Sequence, residues 1–269
     1  MSKAPHPLAE LWPTQSVELL KALHILTRDG ALNQDSRRKL KQVQHLVQLI
    51  TPQLANLRSI ADLGAGKSYL GFMLYDLWMR DKPETKLWAI EQRQALIETC
   101  TKLAKDSGFE RISFVGQSIV EASDSDALPT KIDAVTALHA CDTATDEAIA
   151  FALKKNAKVI ALVPCCQAEV AQLLADIPAD QALELKSLWS HKLHRREFGS
   201  HLTNVIRCLF LESRGYKVRV TELIGWEHSM KNELIVAERV ERSQSQAEHH
   251  FNAFMKRFPL PMKLFELVP

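Results

Sequence analysis

The chain has 269 residues, 46% of them hydrophobic and 25% charged, with 11 Pro and 9 Gly. That composition excludes a disordered, collagen-like or coiled-coil protein, and a chain of this length buries a core without disulfide or metal staples. The net charge of +2 demands no polyanionic partner, yet the charge is clustered: residues 36–58 hold five Lys or Arg and no acid, residues 186–219 hold eight against two acids, and residues 121–147 hold seven acids against one Lys.

Solvated faces account for any one such run. Two basic blocks in a near-neutral chain point equally to a surface that contacts phosphates. The opening MSKAPHPLAE lacks the apolar stretch of a secretory signal, and the five cysteines are an odd count. The expectation is a cytoplasmic protein with free thiols. No apolar run approaches the ~20 residues of a membrane span, so a soluble chain is expected.

Residues 16–28 and 34–50 carry apolar residues at helical spacing, with Val43, Leu46, Val47 and Ile50 on one face. Pro52 is expected to close the second helix. Short apolar runs follow at 59–64, 86–91, 111–116, 132–140 and 158–164, with helical stretches at 69–81, 93–108, 143–156 and 167–175. Strands that alternate with helices imply right-handed crossovers and a parallel sheet. The runs at 216–225 and 233–240 lie too close for a crossover and predict a hairpin. The expected fold is α/β, a seven-stranded Rossmann-like sandwich with an antiparallel last strand. The expected organisation is an N-terminal helical segment (1–54), the main domain (55–242) with a substrate-side insertion at 178–210, and a tail (243–269) packed back on the body.

Ligands of open α/β sheets sit beyond the carboxyl ends of the strands. The first such turn is Asp62-Leu63-Gly64-Ala65-Gly66-Lys67-Ser68. A phosphate-binding P-loop needs a glycine five before Gly66, where Ala61 stands. A dinucleotide loop needs a third glycine where Tyr69 stands, and tolerates Asp62 poorly. The third reading is D-x-G-x-G with an acid at the end of the second strand. Glu91 is that acid, able to accept both ribose hydroxyls of an adenosyl group, and Asp62 suits a cationic ligand such as S-adenosylmethionine. Gln117 and Ser118, at the end of the third strand, can bond the adenine edge.

With these residues in register, the sequence resembles the class I S-adenosylmethionine-dependent methyltransferases over residues 55–240. Ser68 departs from the common third glycine of their loop. His139-Ala140-Cys141-Asp142-Thr143-Ala144-Thr145-Asp146, Pro164-Cys165-Cys166-Gln167 and Lys231-Asn232-Glu233 resemble the methyltransferase-like branch that includes tRNA ribose methylases. The resemblance implies methyl transfer from S-adenosylmethionine and an RNA substrate, with small-molecule or protein methylation, or a module without activity, as the alternatives.

Methyl transfer is an in-line displacement that needs the nucleophile positioned and, for a hydroxyl or ring nitrogen, a base. The fourth strand ends near the methyl group, which makes His139, Cys141 and Asp142 candidates. His139 serves as a base, lines the cofactor, or is structural. Asp142 caps the following helix or moves a proton, and Asp146 complements that helix's dipole. Cys141 and Cys165 occupy the places of paired cysteines in RNA cytosine-carbon methylases. With Cys166 and His139 they also form a weak zinc set lacking C-x-x-C, or simply pack beneath the substrate; no metal is expected. Arg195 and Arg196 can neutralise phosphates, Phe198 can stack on a base, and Ser200 is expected to cap a helix. Asn232 lies in a loop that can reach the substrate pocket.

Overall fold

The computed structural model describes residues 10–138, 140, 142–164, 167–177, 185–223, 233–240 and 245–268. Among them, five parallel strands build the centre of the sheet: β1 (Ser59–Leu63), β2 (Lys86–Ile90), β3 (Ile112–Val115), β4 (Ala134–Leu138) and β5 (Val159–Val163). The hairpin β6 (Tyr216–Glu222) and β7 (Glu233–Arg239) completes it, in the order β3-β2-β1-β4-β5-β7-β6. β7 pairs antiparallel with both β5 and β6. The strand order reverses direction between β1 and β4, which opens a crevice at their carboxyl ends.

The central strands are covered on both faces, so β4 and β5 are apolar on both sides, whereas the edge strand β6 stays largely exposed. α1 (Val17–Ala22), α2 (Gln34–Leu54), α3 (Tyr69–Leu77) and α4 (Gln94–Asp106) pack on the face presenting Ile60, Ala134 and Val236. α5 (Ile119–Ser123), α6 (Thr143–Lys154), α7 (Glu169–Asp176), α8 (Lys192–Ser213), α9 (Ser245–Arg257) and α10 (Lys263–Leu267) belong to the face presenting Ala61, Val135 and Ile235. The tail closes this second core, with Phe251 and Phe265 each against Phe210 of α8.

Two helices are much longer than the strands they cover. α2 has 21 residues and α8 has 22, or roughly 32 Å each at 1.5 Å per residue. A five-residue strand spans only about 17 Å. Each helix turns directly into the start of a strand, α2 into β1 and α8 into β6. Their C-terminal ends are therefore at the sheet's amino edge, and their first turns overhang the carboxyl edge, one from each face.

Two expectations are corrected. Pro52 does not end α2, which runs two residues further to Leu54; proline loses one hydrogen bond there, and burial of Leu54 offsets it. Ser200 caps nothing, because α8 begins at Lys192 with His191 as its N-cap; Ser200 is buried in mid-helix.

Candidate active site

The glycine turn leaves β1 in a left-handed path. Gly64 has φ +61° and Gly66 φ +59°, a region open to glycine at little cost. A side chain on Gly64 would meet nothing within 4 Å among the described residues, whereas one on Gly66 would meet the guanidinium of Arg93 at 3.7 Å. Ser68, at the position where the resembled family has its third glycine, adopts φ +53° and ψ +36°. A glycine would accept that conformation freely; serine is held there at a cost of about 1–2 kcal/mol. Its buried hydroxyl has no hydrogen-bond partner among the described residues.

Asp62 is 1% exposed. It lies beneath the turn, accepting a hydrogen bond from Thr136 Oγ1 at 2.9 Å. Burial pushes its carboxyl up to about 7, while Thr136 and the Gly71 amide pull the other way. α3 passes close by: a Cβ on Gly71 would stand 2.5 Å from Ser68 Oγ and 3.6 Å from Asp62 Oδ2.

Glu91 follows β2 and ties the turn down. Its Oε2 accepts from the Gly66 amide at 2.8 Å, and its Oε1 from the Arg93 amide at 3.0 Å. The Arg93 guanidinium adds Nε to Oε1 at 2.8 Å and Nη2 to Oε2 at 3.2 Å. The guanidinium first, then the two amides, hold the Glu91 carboxyl below the usual carboxylate range. Sequence reasoning missed Arg93; its position two residues beyond Glu91 was the available signal.

Gln117 is half-buried, and its Oε1 is shielded from solvent without a partner among the described residues. Ser118 is the N-cap of α5 in a capping box: its amide and hydroxyl both donate to Glu121, and its hydroxyl accepts from the Glu121 amide. Its side chain is thus already engaged.

The ends of β4 and β5 are joined differently. Asp142 is strained (φ +49°) and occupies the N-cap position of α6 without capping it. Its Oδ1 instead accepts from the amides of Ala168 and Glu169, at the start of α7. Asp146 stands in the first turn of α6, as expected, but it has a second role inside the protein. It is fully buried in a two-pronged pair with Arg207, at 2.8 and 2.9 Å, and Arg207 also donates to the Asp142 carbonyl. From there polar side chains continue: Asn204 donates to Glu233, Gln167 to Asn204, and Ser200 to Gln167. His139, Cys141, Cys165, Cys166, Lys231 and Asn232 lie outside the described residues. Among the described residues no cluster of metal-ligating side chains occurs.

Beside the turn, between the N-terminal helices and the carboxyl edge, is a largely apolar cavity of about 190 Å³. Leu46, Tyr69, Leu138 and Leu223 wall it, and Lys39 and Gln42 bring it polar groups. On the other face, Lys192, Arg195 and Arg196 line an open groove between α7 and α8. Arg196 pairs with its neighbour Glu197. Phe198 is stacked on Trp189, with centroids 5.6 Å apart, so this ring packs against the body.

No helix among the described residues is long and apolar enough to cross a membrane. Curated relatives include the glutathione S-transferase C-terminal domain-containing proteins of Macaca fascicularis, 25% identical, and Homo sapiens, 24% identical. Each match covers 87% of this chain but 38% of the relative's length. Similar solved structures include the magnesium protoporphyrin IX methyltransferase of Synechocystis PCC 6803 with bound SAH, at 14% identity and TM-score 0.49, covering 83% of this chain and 93% of that one. A second is an rRNA methylase from Streptococcus thermophilus, at 13% identity and TM-score 0.44, covering 74% and 94%. Likenesses this remote carry no functional argument. The model of a family described as "Methyltransferase domain" matches residues 38–173, which is half of the chain, and the chain belongs to that methyltransferase-domain family.

Proposed function

We propose that the chain transfers a methyl group from S-adenosylmethionine to a structured RNA in the cytoplasm. The cofactor part rests on the fit of the carboxyl edge. Among the described residues nothing crowds the turn at Gly64 and nothing partners the shielded Gln117 oxygen, which suits an adenine amino group, and Glu91 offers a carboxylate to ribose hydroxyls. When bound, the sulfonium supplies the electrophilic methyl carbon. The chain's residues orient and shield it, and Asp62 places a titratable carboxyl beneath the turn.

The observation that favours RNA is the start of α8. Lys192, Arg195 and Arg196 stand in its first two turns with no acid in the first turn, where the helix dipole disfavours cations. A helix that overhangs the carboxyl edge with positive charge at its positive end is poorly arranged for stability and well arranged for phosphates. α2 overhangs from the opposite face with Lys39 and Lys41, while Arg37 and Arg38 are paired with Glu10 and Asp35. His139 as base, Cys141 or Cys165 as nucleophile, and Asn232 as a substrate contact belong to the same proposal. Cys165→Ser stops turnover only if a covalent thiol intermediate forms.

Tritiated methyl transfer into extract of a strain lacking the protein tests the reading. Label in a nuclease-sensitive fraction is expected; label confined to protein or small molecules overturns the RNA acceptor. The Lys192→Glu, Arg195→Glu variant should lose RNA affinity and lower the slope of log affinity against log salt by roughly 1 per phosphate contact removed. The apolar cavity at Tyr69 and Leu138 favours a second reading, a small apolar acceptor. A cavity of ~150 Å³ already accepts a benzene ring, and the same labelling experiment separates the two.

A further inference from the structure

An ionised carboxylate offers two oxygens and about four lone-pair positions. On Glu91 all four are in use. Two go to backbone amides, Gly66 and Arg93, and these hold the turn in place. The other two go to Nε and Nη2 of the Arg93 guanidinium. The same guanidinium lies 3.7 Å from where a side chain on Gly66 would begin. It therefore covers both the carboxylate and the backbone surface that the missing side chain exposes. Glu91 is only 8% exposed, whereas the Arg93 side chain is 68% exposed, so the guanidinium can leave into solvent while the amides stay.

We propose that Arg93 is a built-in competitor of the cofactor. Its two side-chain hydrogen bonds to Glu91 occupy the positions that the two ribose hydroxyls require, and adenosyl binding is an exchange of guanidinium for ribose, two bonds for two. The inference rests on the reading of Glu91 as the ribose acceptor. It makes the resting site self-satisfied: the carboxylate is never left unpaired in the empty pocket, and the affinity for the cofactor is set below what Glu91 alone would give. The competitor is an exposed ion pair, so salt weakens it.

Calorimetric titration with S-adenosylhomocysteine, which cannot react, tests this on the full chain. Arg93→Ala should bind about two- to five-fold tighter than the unsubstituted protein, the range expected for release of an exposed pair. Arg93→Lys, with a point charge in place of the fork, should fall between. Added salt should tighten binding to the unsubstituted protein and leave Arg93→Ala unchanged. Thermal melts of each variant establish that it is folded. Equal or weaker binding by folded Arg93→Ala overturns the proposal, the weaker case making Arg93 a cofactor ligand. Glu91→Gln separates the two layers of the argument: if it binds as tightly as the unsubstituted protein, or if the unsubstituted protein does not bind at all, the ribose assignment fails and the competitor with it. Binding that needs Glu91 but gains nothing from loss of Arg93 overturns the competitor alone.

Discussion

The two halves of the carboxyl edge are put together on different principles. Beyond β2 and β3 the outer polar side chains are engaged by chain neighbours, Arg93 reaching back two residues to Glu91 and Ser118 and Glu121 capping one another three residues apart. Beneath them Gly66 reaches Glu91 over 25 residues and Thr136 reaches Asp62 over 74. Beyond β4 and β5, polar groups are satisfied across the chain: Arg207 meets Asp146 over 61 residues, Ser200 meets Gln167 over 33, and Asn204 meets Glu233 over 29. In the first half the Arg93 side chain, 68% exposed, can rearrange locally without disturbing the fold. The second can only move as a block, because one fully buried guanidinium holds α6 to α8 and fixes the Asp142 carbonyl.

Breaking the long-range half should therefore cost most. Arg207→Ala leaves Asp146 buried and unpaired, and should lower the unfolding free energy by about 3–5 kcal/mol. Urea denaturation measures it, and a variant of undiminished stability would show that the pair does not lock the two helices. Next comes Asp62. Its folded value of about 7 lies above the unfolded value near 3.9, so the native state keeps a proton that the unfolded chain has lost. Its contribution is complete below about pH 4, declines by ~1.4 kcal/mol per unit up to about pH 7, and is constant beyond. Asp62→Asn should remove that decline, a difference of order 4 kcal/mol at most, read from unfolding midpoints across the same pH range. A parallel pH profile in the variant would place the titration elsewhere.

The local half should respond more gently. Ser68→Gly relieves a left-handed serine whose buried hydroxyl has no partner among the described residues and should stabilise by about 1 kcal/mol, raising Tm by roughly 2–4 °C. An unchanged or lower Tm would mean that the serine conformation carries no strain. Ser118→Ala should cost about 1 kcal/mol through the lost cap while leaving S-adenosylhomocysteine affinity intact. A fall in affinity larger than that loss of stability would instead make Ser118 a cofactor contact.

This division explains what could be read in advance. The central strands were legible because strands covered on both faces write continuous apolar runs into the sequence, the edge strand β6 through its alternation of apolar and polar residues, and the turn at Gly64 and Gly66 announces its own left-handed backbone. Asp142 and Asp146 were legible as residues of a helix start but not in their roles, since their partners, Ala168, Glu169 and Arg207, lie far along the chain. Ser200 suited a cap and its neighbours a surface patch; only α7 passing alongside reveals it as a buried donor to Gln167. Phe198 looked available for stacking because nothing local shows Trp189 against it. Pro52 looked like a stop because local rules do not weigh what Leu54 gains by burial.

One contact governs how that far half meets its surroundings. Gly199 of α8 crosses α7 so closely that a Cβ there would lie 2.7 Å from the Ala171 backbone. The separation of the two rods is thus set by the absence of a single carbon atom, on the turn that follows Arg195 and Arg196. A methyl at that crossing, as in Gly199→Ala, would wedge the rods apart and shift the cationic tip relative to α7. The reach of that tip is calibrated by a hydrogen where every other residue type would have placed a branch.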